Sequence, residues 1–202
     1  RGMSIVIPKT NISSAELNIA KNKKVIEGTF TQLRGSNFQG GGLVVGDTVL
    51  QRLTDGRDDY FNGMAHSQSL NAADQYAVID LGRVYTLESH ATVWRQLAFP
   101  KYYELHGSID NKNWTRILTV GSDRIDANSV HRRSGGGDPL IVAGAPFSDA
   151  VSARYVKLLI PKKTAFYKKH KSWNNVDLAE ILIFPGGDYD ELKRIVREEW
   201  RP

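Results

Sequence analysis

The chain has 202 residues, 41% of them hydrophobic and 24% charged, with no cysteine, a length and balance that suit one globular domain with extensions. No apolar run approaches the roughly 18 residues of a membrane-spanning helix, and the lack of thiols excludes disulfides, thiolate metal sites and cysteine nucleophiles. The net charge of +5 is local, because seven Lys/Arg and no acid lie between Arg154 and Lys171, leaving 20 basic against 22 acidic residues elsewhere; such a field attracts an anionic partner.

Residues 1–17, opening RGMSIVIPK, show neither the apolar core nor the small-residue cleavage pattern of a secretion signal and read as an extension or linker. From there to residue 185 the apolar segments are short, rich in Val, Ile, Tyr and Thr, and bounded by Gly, Asn, Asp or Pro, which predicts strands over 25–33, 75–81, 87–94, 102–109, 115–120, 154–160 and 178–184. In the sixth of these Tyr155, Lys157 and Leu159 alternate with Val156, Leu158 and Ile160, as a half-buried antiparallel strand requires. Asp110-Asn111-Lys112-Asn113 has the composition of a hairpin turn. The glycine clusters at 40–42 and 135–137 are loops, the second inside a long polar stretch over 121–138.

Pro161 closes the strand over 154–160, so residues 162–173, KKTAFYKKHKSW, form a long connection carrying five lysines, one histidine and three aromatic rings. The tail, 186–202, contains the one convincing helical pattern: Asp188 caps, Glu191 takes the capping-box position, and Leu192, Ile195, Val196 and Trp200 recur at helical spacing. Its apolar stripe needs a surface on this domain, a neighbouring domain or a partner protein. The sequence has no Gly-x-Ser-x-Gly elbow, no His-Glu-x-x-His and no phosphate-cradling Gly-x-x-x-x-Gly-Lys, and its carboxylates and histidines nominate no acid/base pair. Catalytic activity in the chain itself is not expected.

Taken in order, several segments resemble the discoidin, or coagulation-factor C-type, superfamily with its galactose-binding-like carbohydrate-binding modules. They are Asn18-Ile19-Ala20-Lys21-Asn22-Lys23-Lys24-Val25, Leu53-Thr54-Asp55-Gly56, Tyr76-Ala77-Val78-Ile79-Asp80-Leu81-Gly82, Tyr103 to Asp110 with Trp114, Ala153-Arg154-Tyr155-Val156-Lys157, and Ala179-Glu180-Ile181. The resemblance implies an all-β, eight-stranded jelly-roll sandwich that binds ligands through loops at one end. Animal members often join the domain ends by a cysteine pair, so a chain without cysteine is more similar to the microbial carbohydrate-binding branch, with an extracellular or cell-surface location.

The same resemblance implies a structural calcium at the Asp-Gly loop, with Asp55, Asp58, Asp59, Asn62 and Glu180 as candidate ligands, a hard-oxygen set of the kind calcium takes. Tyr60 stands near where members have a Thr or Ser ligand, and the competing reading is an acidic turn paired with Arg57 and Arg52. Sugar recognition needs a flat apolar surface and a few fixed polar groups. Arg95 matches the family's strand-end arginine, His66 with Tyr60 and Phe61 matches the loop after Asp-Gly, and Phe166, Tyr167 and Trp173 fill the aromatic position before the last strand. The plainer alternatives are an ordinary strand-end arginine and a solvated histidine in a polar loop; Trp94 and Trp114 read as core.

Lys168, Lys169 and His170, interleaved with those rings, suit a uronate- or sulfate-bearing polysaccharide or anionic lipid headgroups. Nucleic acid ranks last, since no recognition motif for it is present. The reading is therefore a glycan-binding module for an acidic polysaccharide, on its own or beside a polysaccharide-active enzyme, against a rival surface protein- or membrane-interaction domain.

Overall fold

The computed structural model describes residues 17–34, 43–45, 49–56, 64–95, 98–121, 132–133, 139–166 and 174–186. The stretch before residue 17, both glycine-cluster loops and the expected C-terminal helix lie outside the described residues.

Twelve strands are described: β1 (Lys24–Gly28), β2 (Gln32–Arg34), β3 (Leu43–Val45), β4 (Met64–His66), β5 (Gln75–Arg95), β6 (Phe99–Pro100), β7 (Tyr102–Ser108), β8 (Thr115–Gly121), β9 (Arg132–Arg133), β10 (Pro139–Ile160), β11 (Ala165–Phe166) and β12 (Asp177–Pro185). A 3-10 turn over Leu50–Leu53 leads into the Asp-Gly loop. All pairings among the described strands are antiparallel, and the main path runs β3-β2-β4-β12-β5-β10-β7-β8, with β1 on β5 and β9 on β10.

The two long strands make this path a sandwich. Gln75–Asp80 of β5 pairs with Tyr155–Ile160 of β10 in one layer, which β1, β7 and β8 complete. Arg95 to Ser89 pairs with Leu140 to Pro146 in the other, beside β12, β4, β2 and β3. The sequence pattern separates 75–81 from 87–94 because Asp80-Leu81-Gly82 has the composition of a strand end. Gly82 instead takes φ +86, a left-handed conformation open to glycine, with its N–H on Asp80 Oδ1 at 2.8 Å. The chain bends there and continues as strand into the second layer. β10 crosses in the same way, with register shifts at Pro146/Val151 and Ala153/Tyr155.

One core lies between the layers. Ile79, Leu81, Leu105, Val156 and Leu158 of the first pack with Leu33, Ala65, Trp94, Leu178, Ile181 and Ile183 of the second, the alternation in β10 burying Val156, Leu158 and Ile160 as its pattern requires. A buried polar chain ties the layers. Trp94 Nε1 donates to Thr92 Oγ1 at 2.7 Å, Thr92 reaches the Tyr103 hydroxyl at 3.0 Å, and that hydroxyl meets His90 Nε2 at 2.8 Å. Burial pushes the Tyr103 phenol well above its ordinary range.

Candidate functional site

At one end of the second layer β4, β12 and β5 are in register, Asp177 opposite His66 and Leu178 opposite Trp94. Ala65, Leu178 and Trp94 belong to the core, so alternation turns their neighbours His66, Asp177 and Arg95 to the opposite face. There the three meet. His66 Nδ1 lies 2.5 Å from Asp177 Oδ1, and Arg95 Nη1 donates to Asp177 Oδ2 at 3.0 Å. The backbone clamps the group, since Ala98 N–H donates to Arg95 O and Asp177 N–H to Ala98 O, each at 2.9 Å.

Asp177 is 1% exposed, His66 6% and Arg95 7%. A carboxylate taken this far from water is tolerated only when both oxygens are partnered, and here a guanidinium and an imidazole share them. His66 is thus no solvated loop histidine: it sits on a strand, buried against an acid. Arg95 is likewise more than a strand-end arginine. Asp177 escaped the sequence reading because it stands just before the predicted strand; the available signal was an acid flanked by Val176 and Leu178 in an otherwise apolar segment.

Both stems of the lysine-rich connection are anchored beside this group. On the entering side Lys162 N–H donates to Asp74 Oδ1 at 2.8 Å, Lys163 N–H to Leu70 O at 2.7 Å, and β11 pairs with β6, next to Ala98. Lys163 takes φ 64 to make that turn, a conformation costly for a side chain with a Cβ. On the leaving side Leu70 N–H donates to Asn174 O at 2.7 Å, Asn175 Nδ2 to Ser67 O at 2.8 Å, and Val176 N–H to Ser67 Oγ at 2.8 Å. Residues 67–70 follow directly on His66. Lys162 and Lys163 are exposed. Tyr60, Phe61, Tyr167, Lys168, Lys169, His170 and Trp173 lie outside the described residues; of Phe166 the backbone pairing with Phe99 is described.

Of the residues expected to hold a metal, Asp55 and Glu180 are among those described, and both lie at or near the Asp-Gly turn. Gly56, at φ +79, donates its N–H to Glu180 Oε1 at 3.1 Å, which brings the buried carboxylate of β12 to the turn. Asp55 accepts from Arg52 Nη1 at 3.0 Å, the pairing of the competing reading. Oxygen donors converging on a tight turn fit calcium in kind, while Asp58, Asp59 and Asn62 lie outside the described residues, among which no group of three or more acids or histidines is poised for a metal.

The two tryptophans read as core separate. Trp94 is fully buried. Trp114 is half-buried on the outer face of the first layer, with Lys157 Nζ 4.1 Å from its ring centre, because it follows the Asp110 turn and precedes the inward positions of β8. That turn is as expected, with Asn111 at φ 59 and Asp110 accepting from the Lys112 and Asn113 N–H groups at 2.9 and 2.8 Å.

A family model described as the F5/8 type C domain matches residues 34–180. A search of curated protein sequences gives no match. Among solved structures the chain is similar to CBM32-3 from a family 31 glycoside hydrolase of Clostridium perfringens, at 15% identity and a TM-score of 0.57, covering 88% of this chain and 99% of that one. It is also similar to chitosan-binding module 2, in complex with chitotriose, from a chitosanase/glucanase of Paenibacillus sp. IK-5, at 17% identity, TM-score 0.51 and coverage of 83% and 99%. A third is a module of Clostridium perfringens in complex with GalNAc-β-1,3-galactose, at 18% identity, TM-score 0.51 and coverage of 83% and 98%. At these identities the likeness is one of fold.

Proposed function

The chain belongs to the F5/8 type C domain family, and from that membership we propose that it is a non-catalytic carbohydrate-binding module taking a glycan at the sandwich end where His66, Asp177 and Arg95 meet. One observation carries the reading: both stems of the lysine-rich connection are anchored on the segment 67–74 that leaves His66. Polar groups suited to hydroxyls therefore lie near the stem that carries Lys162 and Lys163. The oligosaccharides in complex with two modules of the same fold support it.

The preferred ligand is an acidic polysaccharide. Lys162 and Lys163, with Lys168, Lys169 and His170, face its carboxylates or sulfates, and Tyr60, Phe61, Phe166, Tyr167 and Trp173 supply stacking surface. Asp55, Asp58, Asp59, Asn62 and Glu180 hold a structural calcium that braces the Asp-Gly loop. The module acts outside the cell or at its surface, joined to or associated with a polysaccharide-active enzyme; no helix among the described residues is long and apolar enough to cross a membrane.

A glycan array at low and moderate salt tests this. The expected result is saturable binding to uronate- or sulfate-bearing oligosaccharides, weakened several-fold and made less salt-sensitive by the double change Lys162→Ala, Lys163→Ala, since exposed cations act mainly through a screened field. No saturable glycan binding, alongside salt-sensitive retention by anionic vesicles, would instead identify a membrane-interaction domain.

A further inference from the structure

The second layer is apolar on both of its faces. Leu178, Ile181 and Ile183 of β12 stand opposite Trp94, Thr92 and His90 and turn into the core, so alternation sends Ala91 and Val93 of β5 and Leu182 and Phe184 of β12 to the outer face. There Met64, Val93 and Ala179 are 0, 4 and 1% exposed and form a second apolar cluster with Leu182 against it; Leu182 and Phe184 themselves are half-buried. The outer face of the first layer is built differently, with Lys157, Glu104 and Arg116 on it. The sequence of β12 carries the same contrast. Leu178 to Phe184 is apolar at every position but Glu180, the run of a strand covered on both sides and not the alternation of β10. A sheet face of this kind is buried against another element.

We propose that residues 188–200 are that element: a helix that doubles back along β12, with Leu192, Ile195, Val196 and Trp200 packed on Phe184, Leu182, Ala91 and Ala179 as a third layer of this domain. The segment lies outside the described residues, and its attachment, length and pattern favour this face. β12 hands the chain to it, since Gly186 N–H donates to Thr86 O at 2.9 Å, two residues past Phe184, and Gly186-Gly187 is a pair without Cβ, suited to a reversal. A helix over 188–200 spans about 20 Å at 1.5 Å per residue. The strand from Phe184 back to Ala179 spans about 17 Å at 3.3 Å per residue, so Leu192 comes level with Leu182 and Trp200 with Ala179. Small Ala91 and Ala179 leave room for the larger side chains. The remaining positions of the segment are charged, Tyr189 apart, so it has one stripe to bury. Residues 1–16 are the rival occupant, because they also arrive at β12, where Ile19 N–H donates to Ile183 O at 3.0 Å. Their apolar Ile5, Val6 and Ile7 are consecutive and make no helical stripe. The domain then runs to residue 200, and its tail is no free arm for a neighbour.

A chain without cysteine can be tested by placing two. In the full chain carrying Leu182→Cys and Leu192→Cys, a short bis-maleimide should join the pair within one molecule. The rate should be about tenfold or more above that of Lys157→Cys with Leu192→Cys, whose first site is on the outer face of the other layer, because a docked segment holds its thiol at high effective concentration. Equal rates in the two pairs, or no intramolecular link in the first, overturn the proposal. A link formed instead between Leu182→Cys and Ile5→Cys overturns it too and gives the face to residues 1–16. Amide exchange of the unaltered chain needs no folded variant. Amides of 190–199 should exchange about tenfold or more slowly than in a free peptide of residues 186–202, as packed backbone does; equal exchange overturns the third layer, whatever glycan the module binds.

Discussion

Replacing Arg95 by alanine removes the guanidinium that faces Oδ2 of Asp177, a carboxylate 1% exposed. From its place in the sequence alone, Arg95 would be expected to bind ligand at no cost to the fold when removed. Its burial changes that expectation: breaking a buried pair from one side costs about 3–5 kcal/mol, because the remaining charge is stranded away from water. Urea unfolding of Arg95→Ala should show a loss of that order, and Arg95→Lys a smaller one, with glycan binding lost in the alanine variant. An unchanged midpoint for Arg95→Ala would mean that the ion pair does not form in solution. Arg95 and His66 were legible as polar residues in the right segments. Their acid was not, since the pattern of a strand says where side chains alternate but not which neighbour across the ladder each will meet.

Among the elements, the Asp-Gly turn and β12 are joined by the hydrogen bond from Gly56 to Glu180. If calcium occupies that turn, it binds the folded chain alone and stabilises it by mass action, about 2.7 kcal/mol at one hundred times its dissociation constant. For a domain of this size that corresponds to a rise of roughly 5–10 °C in melting temperature. Thermal scans with calcium and with chelator should differ by that amount, and Glu180→Gln should remove the difference; identical scans would leave Arg52–Asp55 as the turn's own device. The hairpin at Asp110 was legible because Asn111 and the Asp110 carboxylate act within four residues. The union of two predicted strands into β5 was not, because a glycine at positive φ can end a strand or bend it, and the choice depends on whether β10 follows around the bend.

For the whole molecule, stability should fall on the acid side. Arg154 holds the Asp80 carboxyl below the usual range by hydrogen bonds at 2.9 Å from Nε and Nη2, with the Gly82 N–H assisting. Asp110 is also lowered, by the Asn113 and Lys112 N–H groups. A carboxyl depressed in the folded state contributes stability that is present above its unfolded value of about 3.9 and is lost as pH falls through the folded one. The Asp80–Arg154 pair is partly solvated, with side chains 21% and 40% exposed, so its share is about 1 kcal/mol or less. Unfolding midpoints should be level from about pH 8 to 5 and decline below about pH 4, with Asp80→Asn showing a shallower decline; an equal slope in the variant would assign the acid loss to other groups.

By itself the sequence determined the all-β class, the strand-rich segments, the Asp110 turn, the Asp-Gly loop and the local character of the basic charge. Each of these follows from residues near one another in the chain, where periodicity and turn chemistry act. Tertiary structure decided that β5 and β10 serve both layers, that Trp94 is buried while Trp114 lies beneath Lys157 on the outer face, and that His66 and Arg95 converge on Asp177. Those outcomes depend on ladder register between segments up to 111 residues apart, which composition and spacing along a single strand do not encode.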